Sequence, residues 1–200
     1  MRAVIESSGA VTTRAATLVA RTSSVAETRD LGAALATLVQ PGDLLVLAGD
    51  LGAGKTALTQ GFGSGLGVTE PITSPTFTLA QQYAGRLLVH HLDVYRLDQL
   101  GEVTDLGLSE LLDDGGVVLI EWGDAILPVL PNDYLEVRLT FCEDDRAGDD
   151  DRRVFLRPVG ARWSGRQVSL LKAVAPWAEA PASPADTPAD PQAGQGGRPC

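Results

Sequence analysis

A chain of 200 residues with 44% hydrophobic content is long enough for one core-bearing domain plus tails, and it has no apolar stretch near the about 18 residues that a membrane-spanning helix needs, so a soluble protein without a membrane partner is expected. The formal net charge is -10, from 26 acidic against 16 basic residues, which excludes a basic surface able to grip nucleic acid alone; work on a nucleic-acid pathway would need a partner to hold it. Cys142 and Cys200 have neither metal-ligand spacing nor a framework partner, which fits a reducing, cytoplasmic compartment.

Residues 1–22 are rich in Ala, Thr, Ser and Val without an unbroken apolar run, and are expected to be a poorly ordered extension ahead of a domain at 23–174. Ser24-Val25-Ala26-Glu27 fits a capping box, and Leu31, Leu35 and Leu38 recur at helical spacing, predicting a helix over 25–39 that Pro41-Gly42 ends. Leu44-Leu45-Val46-Leu47-Ala48 is an unbroken apolar run of strand length. It leads into Gly49-Asp50-Leu51-Gly52-Ala53-Gly54-Lys55-Thr56, after which a helix is expected to about residue 66 despite Gly61, Gly63 and Gly65.

Leu87–Leu92 and Val117–Ile120 are two further apolar runs, each followed by an acid, Asp93 and Glu121. Leu135–Phe141 alternates, with Glu136, Arg138 and Thr140 on the second face, and predicts an antiparallel, half-exposed strand. After an acidic connection over 143–151, read as a solvated loop, Val154–Val159 can return as its hairpin partner. Residues 175–200 are mainly Ala, Pro, Gly, Asp and Gln, too poor in apolar surface to order themselves, and are expected to form a disordered tail.

The segment 49–56 has the G-x-x-x-x-G-K-[ST] pattern of a phosphate-binding loop. Gly49 allows a sharp turn off the strand, and Gly52 and Gly54 can adopt angles closed to other residues, so that successive N–H groups line an anion nest. A helix starting near Lys55 would add the positive end of its dipole. Lys55 then supplies a mobile charge for the β- and γ-phosphates, and the Thr56 hydroxyl is placed for Mg²⁺.

A triphosphate site also needs an acid at a strand end for Mg²⁺ and a group to position the nucleophile. Asp93 and Glu121 are the two candidates, and the residues alone leave open which acid does which task. Trp122 can pack in the core or face a nucleotide. Ser74-Pro75-Thr76-Phe77-Thr78-Leu79 lies where such proteins carry a γ-phosphate-sensing segment, although a plain turn fits the same residues. His90 and His91 read as packing residues on a strand.

Alternating strands and helical patterns predict an α/β fold: a P-loop NTPase-like three-layer domain whose sheet is largely parallel with added antiparallel strands. Ligands in such sheets sit at the carboxyl ends of strands, where Ala48, Asp93 and Glu121 all fall. A P-loop small-molecule kinase is the alternative reading, weakened by the absence of Lys and Arg from residues 98–116. No Asn/Thr-Lys-x-Asp element is present, which favours ATP over GTP.

Taken in order, residues 49–56, Ser-Pro-Thr-Phe-Thr-Leu at 74–79, His-Leu-Asp-Val-Tyr-Arg-Leu at 91–97, Leu-Gly at 106–107 and Ile-Glu-Trp at 120–122 resemble the TsaE (YjeE) family over roughly 24–141. The resemblance implies a bacterial Mg²⁺-dependent ATPase, weak alone, that acts with the TsaB and TsaD proteins to form threonylcarbamoyl on adenosine 37 of tRNAs reading codons beginning with A. The tRNA would be met only through those partners. By the same resemblance Lys55 and the loop residues 49–56 hold ATP, Thr56 and Glu121 bind Mg²⁺ with Asp93 beside them, Lys55, Asp93 and Glu121 serve hydrolysis, and Thr28 lies near the nucleotide. The tails and residues beyond Phe141 match the pattern weakly.

Overall fold

The computed structural model describes residues 16–75, 79–95, 107–142 and 148–179. Its centre is β2 (Leu44–Ala48), every residue of which is buried. It pairs in parallel with β5 (Val117–Glu121) on one side and with β6 (Tyr134–Phe141) on the other, and β4 (Val89–Asp93) continues the parallel set beyond β5. Unbroken apolar runs at β2 and β5 follow from this position, since a strand covered on both faces has no solvent side.

Antiparallel strands complete both margins. β3 (Ala80–Tyr83) pairs with β4, β7 (Arg152–Val159) with β6, and β1 (Leu18–Thr22) with β7, giving the order β1-β7-β6-β2-β5-β4-β3. The sheet is therefore mixed, with a four-stranded parallel centre and an antiparallel hairpin return from β6 to β7 as the sequence pattern predicts.

Alternation along β2 feeds two cores. Leu45 and Leu47 point to the face covered by α1 (Val25–Ala36) and α2 (Lys55–Gly65), meeting Leu31, Leu35, Leu58 and Phe62. Leu44 and Val46 point to the other face, with Ile120, Ile126 and Leu127, under the short α3 (Leu108–Asp113) and a 3₁₀ turn at Gly123–Val129. Two short helices, α4 (Gly160–Ser164) and α5 (Gln167–Val174), add the buried Trp163, Leu170 and Val174 to the first core.

Four expectations need correction. α1 ends at Ala36, because Thr37 and Leu38 turn back onto the carbonyls of Ala34 and Leu35 before residue 39 is reached. β6 is neither purely antiparallel nor half-exposed: parallel pairing to β2 makes it internal, and Glu136 is buried between Arg138 and Arg157. Leu18–Thr22, placed in the unordered extension by composition, is β1, held by its ladder to β7. Likewise Ala175–Glu179 of the tail is ordered: Ala178 bridges to Ala20 and the Glu179 N–H donates to the Val19 carbonyl. Residues 1–15, 143–147 and 180–200, on which the remaining tail and acidic-loop expectations fall, lie outside the described residues. Among the described residues no helix is long and apolar enough to cross a membrane.

Candidate functional site

The loop after β2 is fixed by close backbone contact. Gly49 has φ 130°, and a Cβ there would lie 2.1 Å from the Leu139 carbonyl oxygen of β6, so only glycine lets the chain leave the strand here. Gly52 and Gly54 also have positive φ, 80° and 104°. From the other side Arg152, at the start of β7, donates to the carbonyls of Gly52 (3.3 Å) and Ala53 (3.2 Å) while lying over the Phe141 ring. The N–H and C=O of one planar peptide point in opposite directions, so tying the Ala53 carbonyl to Arg152 turns the Gly54 N–H away from it.

Gly54 caps α2 without any side-chain hydrogen bond, leaving the first-turn amides of that helix for an anion. Lys55 is buried and its Nζ donates to the carbonyls of Gly49 (2.6 Å) and Asp50 (2.9 Å), 3.6 Å from the Trp122 ring centroid. Burial lowers the Lys55 pKa, against the opposing pull of Glu121, Asp124, Asp93 and Asp50.

Sheet register brings the two acids together. Leu47 stands beside Glu121, and Glu121 beside Asp93, on three adjacent parallel strands. The Thr56 hydroxyl donates to Glu121 Oε2 at 3.1 Å, and Glu121 Oε1 lies 2.9 Å from His91 Nε2. Asp93 accepts from the Ser74 hydroxyl (2.9 Å) on Oδ2 and from the Tyr95 N–H (3.0 Å) on Oδ1. Both carboxylates are buried, yet each has hydrogen-bond donors on it, as buried charge requires.

These groups surround a cavity of about 480 Å³, with Val25, Leu51, Tyr95 and Trp122 as its apolar walls. Trp122 adopts φ 62°, an unusual conformation for a bulky residue, and its ring lies 4.7 Å from that of Tyr95. A second hollow of about 530 Å³ lies between α3 and the end of the 3₁₀ turn, and among the described residues Glu110 is the one ionisable side chain in its lining. The first is the candidate site, because there the uncapped helix start, the lysine and two buried acids converge.

The structure thus gathers Lys55, Thr56, Asp93 and Glu121 with the loop residues Gly49, Asp50, Leu51, Gly52, Ala53 and Gly54. Thr28 meets the loop through its methyl, which lies 3.6 Å from where a Cβ on Gly54 would stand, while its hydroxyl is buried against Thr22 (2.9 Å) and donates to the Ser24 carbonyl (3.1 Å); Val25, 44% exposed, forms the cavity wall on that side. Thr76, Phe77, Thr78, Arg96, Leu97 and Leu106 lie outside the described residues. His91, Tyr95 and Arg152 join the site without having been singled out for it by the sequence. For Tyr95 the position two residues past Asp93 was a usable signal; for Arg152 no local pattern exists.

The donors suit Mg²⁺ with a triphosphate. Among the described residues no group of three His, Cys, Asp or Glu side chains forms a metal cage. A cation that keeps its waters and takes one or two carboxylates plus phosphate oxygens needs no such cage, and the Thr56 hydroxyl paired to Glu121 offers that kind of oxygen set.

The family model for threonylcarbamoyl adenosine biosynthesis protein TsaE matches residues 22–152. The Bacillus subtilis tRNA threonylcarbamoyladenosine biosynthesis protein TsaE is 43% identical over 144 residues, covering 72% of this chain and 87% of that protein. Its Streptomyces coelicolor counterpart is 44% identical over 148 residues, covering 72% and 98%. The crystal structure of Bacillus subtilis YdiB matches with a TM-score of 0.66 at 37% identity, over 79% of this chain and 96% of that one.

Proposed function

The chain belongs to the TsaE family, and on that premise we propose that it is a cytoplasmic P-loop ATPase of tRNA threonylcarbamoyladenosine formation, using Mg²⁺ and acting with the TsaB and TsaD proteins on tRNAs that read codons beginning with A. The observation that carries the reading is the Thr56–Glu121 hydrogen bond at the uncapped start of α2, with Asp93 on the next strand. A hydroxyl and a buried acid held together beside an anion-binding helix start are what a metal–triphosphate complex requires.

Each residue then has a task. Lys55 leaves the Gly49 and Asp50 carbonyls to meet the phosphates. The loop amides and the start of α2 hold the phosphate oxygens. Thr56 and Glu121 would hold Mg²⁺, which would supply positive charge against the phosphate oxygens during phosphoryl transfer. Asp93, fixed on both oxygens by Ser74 and the Tyr95 N–H, orients the attacking water. Tyr95 and Trp122, their rings in contact, form one wall of the cavity.

Hydrolysis measured with and without purified TsaB and TsaD tests the reading. The expected result is slow turnover alone, faster turnover with both partners, and loss of activity in Lys55→Ala. No stimulation by the partners, or an unchanged rate in Lys55→Ala, would overturn it.

A further inference from the structure

We propose that His91 is a positioning residue for Glu121, an inference that rests on the nucleotide reading of the site: its imidazole holds one carboxylate oxygen and leaves the other to Thr56, so that the acid meets a cation or its waters through a single oxygen. His91 and Glu121 are not register partners. His91 stands beside Leu119 on β5, and its side chain reaches along the sheet to Glu121 Oε1 at 2.9 Å. Oε2 is taken by the Thr56 hydroxyl at 3.1 Å. The two oxygens of one buried carboxylate are thus assigned to different donors on different elements.

Packing alone does not explain an imidazole here. His91 is fully buried, and among the described residues its Nδ1 has no hydrogen-bond partner. An apolar ring would fill the same place beside Tyr83 without burying an unpaired nitrogen, so the polar function of His91 is spent on Glu121. An ionised carboxylate can only accept, so Nε2 is the ring nitrogen that carries a proton towards Glu121.

Metal choice follows from the geometry. Ca²⁺ readily takes a carboxylate through both oxygens, whereas Mg²⁺ demands near-octahedral geometry, keeps several waters and takes single carboxylate oxygens. With Oε1 occupied by His91, Glu121 suits the second and disfavours the first. Partners that orient a metal's ligands typically matter by about 10- to 100-fold in metal affinity or activity.

The chain has two histidines, so the ring nitrogens are readily separated by nitrogen-edited NMR of the full nucleotide-free protein. His91 is expected to carry a proton on Nε2, shifted downfield and moving in Glu121→Gln; a ring protonated on Nδ1 alone overturns the assignment. Calorimetry of ATP binding with Mg²⁺, with Ca²⁺ and without metal gives the second arm. His91→Phe should lower the gain that Mg²⁺ brings by about 10- to 100-fold relative to Ca²⁺ while leaving metal-free ATP affinity unchanged, and His91→Gln, whose amide reaches the Nε2 position, should recover most of it. A cooperatively melting His91→Phe protein with the wild-type Mg²⁺ to Ca²⁺ ratio overturns the proposal. If the wild type binds no ATP, or Lys55→Ala binds it equally well, the nucleotide reading itself fails, whatever the NMR arm shows of the His91–Glu121 bond.

Discussion

Lys55 carries a charge that its surroundings disfavour. Desolvation holds its ammonium below the usual lysine range, and the nearby acids, Glu121 foremost, offset that only in part. A lysine with a folded pKa below the unfolded value of 10.5 binds fewer protons folded than unfolded between the two values, so stability rises with pH across that window. Below the folded value the penalty is present in full. Lys55→Met removes the charge, and its stability relative to the wild type, from urea unfolding without nucleotide, should be most favourable at neutral pH and decline towards the unfolded value. In the same variant ATP affinity should fall by about 10- to 100-fold, the worth of a hydrogen bond to a charged group. A stability difference that is flat with pH would remove the argument that Lys55 is kept for its ligand at a cost to the fold.

At the scale of elements, the glycines of α2 trade helix propensity for close packing. Gly61 and Gly65 lie one turn apart on one face, and a Cβ on them would come within 1.9 Å of the Arg29 carbonyl oxygen and 2.8 Å of the Ala33 carbonyl oxygen on α1. α1 answers with Gly32, where a Cβ would lie 2.2 Å from the Leu58 carbonyl oxygen. Gly61→Ala gains about 1 kcal/mol of propensity in an isolated helix. Here backbone stands in the way, so the expected net change is a loss of about 1–3 kcal/mol, read as a lower urea midpoint, together with weaker ATP binding as α2 carries Lys55 and Thr56 outward. A more stable Gly61→Ala protein would show that the helices can separate freely. The same elements show what was legible. β2, β5, the glycine loop and the two acids were readable because central parallel strands are apolar throughout and present their ligand groups at their carboxyl ends. β1 was not, since its short, partly exposed pattern gains meaning only from β7, far away in sequence. Nor was the His91–Glu121 contact, which arises from the register of two strands and leaves no trace in either strand alone.

For the whole molecule, the acidic balance is compounded by how the basic side chains are used. Arg21 pairs with Asp151, Arg153 with Glu179, Arg138 with Asp124, Arg157 with Glu136, and Arg162 and Arg166 with Asp43. Arg152 is held at the loop carbonyls, Arg29 at Gln60 and Arg86 at the Ala36 carbonyl. A tRNA phosphate would have to break such pairs while approaching a chain of net charge -10, and it would release few counterions in return. The chain alone should therefore retain no tRNA in a filter-binding assay at about 10 μM protein and physiological salt, a concentration within the usual range for non-specific binding by basic proteins. Added to TsaB and TsaD it should be retained with the tRNA, and the salt dependence of retention should be that of the partners without it. Binding by the chain alone, weakening steeply with salt, would show a basic surface outside the described residues and would undo the assignment of tRNA contact to the partners.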